Sequence, residues 1–181
     1  MLLLMPAIYL LIYGALRLFG LPLPTGIQLP FSLGLMPLLA VAAFIGAAGE
    51  ELGYMGYAIE PTQEQWGALK TALVMGLFWA VWHYPGMIQQ GRGLQWIAWG
   101  TLGTVAVRVL IVWLYNNTGK SVFVCAIFHS IANMGAIFFP KDQHLNPLVD
   151  YPGVHYSMIA IAALVIAFLW GAKTLARYRY A

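Results

Sequence analysis

The chain has 181 residues, of which 61% are hydrophobic and only 8% charged, and its mean hydropathy is +0.77. A soluble domain carries about 25% charged residues, so these few cannot coat a water-soluble globule, and lipid is the expected solvent. The formal net charge of +3 comes from Lys and Arg scattered singly or gathered at the C-terminus; they form no basic face, which excludes a nucleic-acid partner, and read as membrane-orienting charges.

A membrane-crossing helix needs about 20 mostly apolar residues, and that rule divides the chain into about six segments. The first runs from Leu2 to Phe19 and ends in a breaker-rich loop, Gly20-Leu21-Pro22 and Pro24-Thr25-Gly26. It begins without a basic region and is too long for a cleavable signal, so it reads as a retained span. The second segment covers Met36 to Ile59 and stops at Glu60-Pro61-Thr62, because the residue before proline resists helix.

The third runs from Trp66 to Tyr84 and stops at Pro85-Gly86; the fourth, Leu94 to Tyr115, stops at the turn sequence Asn116-Asn117-Thr118-Gly119. The fifth spans Ser121 to Phe139 before Pro140, and the sixth His155 to Leu175 before Ala176-Arg177-Tyr178-Arg179-Tyr180. The expected fold is all-α, a polytopic transmembrane bundle of about six helices, with residues 1–181 as one membrane domain. Six spans put both termini on the side of Lys70, Lys120, Lys173, Arg177 and Arg179, opposite Arg17, Arg92 and Lys141. The positive-inside rule then makes that side cytoplasmic.

Several polar side chains interrupt the apolar helices: Glu50, Glu51, His83, Arg108, His129 and Asn133. An ionisable group at mid-membrane costs several kcal/mol, which makes each a functional candidate. With about 1.5 Å rise per residue, Glu50 lies roughly 14–15 Å from its helix end, Arg108 about 11 Å, His129 about 12 Å and Asn133 about 18 Å. His83, about 25 Å along the third segment, joins that slab only if its helix tilts.

His129 and Asn133 stand at i and i+4 on one helix face, as do Trp79 and His83. Gly46, Gly49, Gly53 and Gly56 flank the glutamates at a spacing that permits close helix packing. Neighbours on a helix point about 100° apart, so Glu50 is expected to face the centre and Glu51 to support it or serve as an auxiliary ligand. Two carboxylates facing a histidine suit general-base activation of water, or divalent-metal binding with the histidines. A second histidine with an amide on the same face suits hydrogen bonding to an oxyanion. Together they suit amide hydrolysis within the membrane.

Glu50-Glu51-Leu52-Gly53-Tyr54-Met55-Gly56-Tyr57 resembles the first motif of the CPBP family of intramembrane proteases, the CAAX-processing and bacteriocin-processing group also called ABI. Trp79-Ala80-Val81-Trp82-His83-Tyr84-Pro85 resembles its second motif. Arg108 to Gly119, followed by His129-Ser130-Ile131-Ala132-Asn133, resembles the approach to its third. The resemblance covers residues 46–133, as a catalytic core with motifs in order on separate helices. It implies an endopeptidase acting on a membrane-associated peptide or protein, including a prenylated one, in a prokaryotic cell membrane. It implies Glu50 with His83 as the water-activating pair, and His129 with Asn133 as oxyanion stabilisers. Either a divalent metal, zinc first, is held by Glu50, His83 and His129, or a metal-free glutamate mechanism operates.

Two departures from the pattern matter. Many members carry arginine where this chain has Met55, and many have further N-terminal spans before the first motif. Both favour an alternative, a non-enzymatic membrane immunity or scaffold protein that keeps the fold; a proton or metal transporter would use the same buried acids. Interhelical hydrogen bonding alone would also employ His129 and Asn133. Arg108 reads as a structural counter-ion to a glutamate, with Trp79 and Tyr54 as further substrate or structural support. The lone Cys125 carries no sign of thiolate activation and reads as a small buried residue. Trp66, Trp82, Trp96, Trp99, Trp113 and Trp170 read as an interfacial belt and lipid-facing packing; His144 and His155 receive no role.

Overall fold

The computed structural model describes residues 3–25 and 33–177. The start of the first segment at Leu2, Gly26 of the expected loop and the tail with Arg179 lie outside the described residues. Helix α1 (Leu4–Leu18) is followed by a single 3-10 turn (Leu33–Leu35), α2 (Met36–Gly53), a π-helical turn (Tyr54–Ala58) and α3 (Ile59–Trp66). Then come α4 (Ala68–Gln89), α5 (Leu94–Asn117), α6 (Val122–Phe138), the short α7 (Pro147–Asp150) and α8 (Pro152–Trp170). No strand occurs among the described residues, so the fold is all-α as expected.

Among the described residues, three helical stretches are long and apolar enough to cross a membrane: Met36–Trp66, Leu94–Asn117 and Pro152–Trp170. Helices α1 and α6 are apolar but shorter, and α4, long enough at 22 residues, is diluted by polar residues. Three of the six expected segments therefore meet both requirements.

Helix α5 is the centre of the bundle. Its residues from Ala106 to Tyr115 are all buried, and it packs against α4, α8 and α6, while α2 packs on α6 and α1 on α8 and α6. Glycines set the closest approaches. A Cβ at Gly76 of α4 would stand 2.8 Å from Val105 Cα and 3.2 Å from Arg108 Cβ, so its absence lets α4 close onto α5 beside Arg108. Gly135 of α6 makes room for the Tyr9 ring, whose hydroxyl donates to the Ala132 carbonyl at 2.7 Å. By contrast, Gly46, Gly49 and Gly53 face open space, and Gly56 meets a neighbour only at ordinary contact distance. The glycines beside the glutamates do not seat a packed helix.

Large apolar side chains such as Leu11, Ile45, Phe78, Trp82, Leu164 and Phe168 are exposed around the bundle, as a lipid solvent permits and water does not. Trp113 is not among them: it is buried, edge-on to Trp170 at 5.5 Å between centroids.

Both proline boundaries fall differently from the sequence expectation. The second segment continues through Pro61 to Trp66 because a π turn precedes the proline and relaxes the α register. The Thr62 hydroxyl then donates to the Ala58 carbonyl at 2.6 Å, satisfying a group the irregular turn leaves open. The third segment continues through Pro85 to Gln89. Tertiary contacts hold its last turns on α5: the Tyr84 hydroxyl meets Thr101 Oγ1 at 3.0 Å, and Met87 lies over Gly100. His83 is thus inside a helix and not near its end.

The other ends also shift. Helix α5 runs on to Asn117 because the Asn116 and Asn117 amides donate to the carbonyls of Thr174 and Leu175, at 2.8 and 2.7 Å. Helix α8 begins at Pro152 and stops at Trp170, where Gly171 adopts φ +79°. The segment after it folds back so that the N–H groups of Ala68 and Leu69 donate to the carbonyls of Lys173 and Ala172, at 2.9 and 3.0 Å. Two unpaired donors of the first turn of α4 are satisfied in this way.

Candidate active site

Adjacent glutamates on α2 diverge, and the bundle uses the divergence. Glu51 points inward and is fully buried. Arg108 Nη1 of α5 donates to its Oε2 at 2.8 Å, and His129 Nδ1 of α6 lies 2.9 Å from its Oε1. Both oxygens are committed, which is what a carboxylate withdrawn from solvent requires. The Arg108 guanidinium, also fully buried, is sandwiched between the rings of Tyr54 and Trp79, 4.2 Å from each centroid. Those two ring faces offer it cation–π contact where Nε and Nη2 have no protein acceptor. Tyr54 opens the π turn directly after the glutamate pair. Met55, one turn on from Glu51, is fully buried.

Glu50 is only half-buried and turns toward α4. The Trp79 indole N–H donates to its Oε2 at 2.5 Å. One turn along α4, His83 Nδ1 lies 2.7 Å from the Trp79 carbonyl. A carbonyl only accepts, so Nδ1 carries the proton and Nε2 of neutral His83 is a lone pair. His129 Nδ1 likewise faces an acceptor, the Glu51 carboxylate, and carries a proton, which leaves its Nε2 as the outward atom. The two imidazoles stand edge-on to the Trp79 indole, with centroids at 5.3 and 4.9 Å.

The structure therefore gathers Glu50, Glu51, Tyr54, Trp79, His83, Arg108 and His129 from α2 with its π turn, α4, α5 and α6. Asn133 shares the helix face of His129 but is exposed, and no side chain among the described residues holds it. No group of three His, Cys, Asp or Glu side chains among the described residues is arranged to hold an ion. Cys125 is buried, its Sγ 3.7 Å from the Ile111 carbonyl. His155, in the first turn of α8, is buried with Nδ1 donating to the Leu148 carbonyl at 2.7 Å, a structural bond. What the sequence did not reveal is the bond from Trp79 to Glu50; the shared face of Trp79 and His83 was the signal available.

A family model for type II CAAX prenyl endopeptidases, described as Rce1-like, matches residues 32–135, more than half of the chain. The chain belongs to this family. The match spans the residues of the cluster just described, from Glu50 to Asn133. CAAX prenyl protease 2 of Methanococcus maripaludis is 29% identical over 113 residues, an alignment covering 58% of this chain and 41% of that protein. The chain thus matches less than half the length of this relative.

Proposed function

We propose that this chain is a membrane-embedded endopeptidase that hydrolyses a peptide bond of a membrane-associated substrate, with Glu50 and His83 activating water. The observation that carries the reading is one cluster of two carboxylates, two imidazoles and a guanidinium, contributed by four helices of an apolar bundle. Glu50 Oε1 accepts a proton from water while the water oxygen bonds to the scissile carbonyl carbon, and His83 Nε2 accepts a hydrogen bond from the second water hydrogen, which stays on the new carboxyl. The carbonyl electron pair moves onto oxygen, and His129 Nε2 with the Asn133 amide donates to that oxyanion. Because the Nδ1 proton of His129 is given to Glu51, donation from Nε2 requires the imidazolium. Its charge, with that of Arg108, balances the two carboxylates. Collapse restores the carbonyl, breaks the C–N bond and sends the proton held by Glu50 to the leaving nitrogen.

The proposed steps use the chain's own groups, since no group of three His, Cys, Asp or Glu side chains among the described residues is arranged to hold an ion. The relative's name directs the substrate proposal to a prenylated C-terminal peptide of the Cys-aliphatic-aliphatic-X kind, presented from the bilayer. The setting proposed is a prokaryotic cell membrane with both termini cytoplasmic. The non-enzymatic alternative drew on Met55 in place of an arginine; the Arg108 guanidinium on Glu51 weakens that ground. The test is cleavage of an internally quenched farnesylated peptide by the full chain in liposomes. Wild type should cleave and Glu50→Ala should not, with equal membrane insertion. A Glu50→Ala protein as fast as wild type would overturn the reading.

A further inference from the structure

One residue touches most of the cluster. Trp79 is 4% exposed. Its indole N–H donates to Glu50 Oε2, its carbonyl takes the His83 Nδ1 proton, its ring edge-packs on His129 and its face covers Arg108. A phenyl ring at this position would keep the packing against His129 and Arg108, and any residue would supply the carbonyl. Only the indole N–H makes the bond to Glu50, so that bond is a separable property of tryptophan here.

The bond matters because the terminal torsion of a glutamate is broad and roughly two-fold. A half-buried carboxylate left alone would present either oxygen in a range of orientations. With Oε2 held by the indole, Oε1, which accepts no hydrogen bond among the described residues, is the oxygen presented outward. We infer that Trp79 is a positioning residue that holds Glu50 by Oε2 and so selects Oε1 as the atom that takes the proton from water. This rests on the reading of Glu50 as the base.

The test compares wild type with Trp79→Phe in liposomes on the farnesylated peptide, and follows the tryptophan indole N–H resonances by nitrogen-15 NMR. Trp79→Phe should lower kcat roughly 10- to 100-fold, the scale on which a misplaced catalytic group slows reaction, with KM within about two-fold. Trp82→Phe, which alters an exposed indole, should leave both parameters at wild-type values. In Glu50→Ala the Trp79 resonance, identified by its loss in Trp79→Phe, should move while that of Trp82 stays. Should Trp79→Phe fail to fold, Trp79→Tyr takes its place. A kcat for Trp79→Phe equal to wild type, or a Trp79 resonance indifferent to Glu50→Ala, overturns the inference. A wild-type protein that cleaves nothing while the Trp79 resonance responds overturns the peptidase reading, and the catalytic role of Trp79 falls with it.

Discussion

Glu51 and Arg108 form an ion pair of 2.8 Å between α2 and α5 with neither side chain reaching the surface. Such a pair is expensive to break from one side, because the remaining charge stays buried and unpaired. Arg108→Met should therefore destabilise the folded chain by about 3–5 kcal/mol, measured by denaturant unfolding in detergent micelles. Glu51→Gln should cost a comparable amount, since it removes the charge paired with Arg108 and leaves one amide oxygen for the two donors, Arg108 and His129.

Met55 offers a second experiment on the same pair. It is buried one turn beyond Glu51, where many chains with the first motif carry arginine. Met55→Arg alone should destabilise by crowding and like-charge repulsion with Arg108. Combined with Arg108→Ala, which opens space, it should recover part of the stability lost in Arg108→Ala alone. Strictly additive losses in the double variant would show that no guanidinium from position 55 can reach Glu51.

Replacing the proposed reacting groups should separate two scales. Glu50→Gln should slow peptide cleavage about 10²–10⁴-fold, the range of a general base. Asn133→Ala should cost about 10²–10³-fold in kcat, the range of one oxyanion donor, with little change in stability because Asn133 is exposed. Dialysis against a chelator should leave cleavage within about two-fold of the starting rate, given one free carboxylate oxygen and two Nε2 atoms not arranged as a ligand set. Stoichiometric zinc in purified protein, with activity lost on its removal, would contradict that expectation.

A fourth prediction lies outside the spans. Asp142 Oδ1 accepts the backbone N–H groups of His144 and Leu145, both at 2.9 Å, and Oδ2 that of Thr25 at 3.1 Å. These bonds, that from His144 first, hold the carboxyl below the ordinary Asp range. A lowered folded value means the contribution is complete above the unfolded value near about 4 and is lost as pH falls through the folded one. The protection of the Thr25, His144 and Leu145 amides against hydrogen exchange, taken relative to the intrinsic rate at each pH, should fall in acid, and Asp142→Asn should remove that pH dependence.

The apolar runs made most helices legible, because span length and hydrophobicity depend only on local sequence. The ends of α2 and α4 were not legible. Proline disfavours an isolated helix, but a π turn before Pro61 and the packing of Tyr84 and Met87 on α5 override it locally. The identities of the clustered residues could be read from their cost in lipid, and the pairing of Arg108 with a glutamate followed from charge. Which glutamate it meets, which oxygen Trp79 holds and which nitrogen each histidine presents depend on helix rotation and rotamers. No one-dimensional spacing encodes those. The glycines at 46, 49 and 53 misled for a related reason: small residues allow close packing but do not supply the neighbour.

The strap of residues 172–175 over the start of α4 has a consequence for the order of biogenesis. The N–H groups of Ala68 and Leu69 find their acceptors in Ala172 and Lys173, which are synthesised long after α4 itself. The helix that carries Trp79 and His83 thus leaves the ribosome with its leading turn unfinished. Its last stitches arrive only once α8 has been made, so a nascent chain stalled before that point would hold the clustered residues without the clasp that secures their helix.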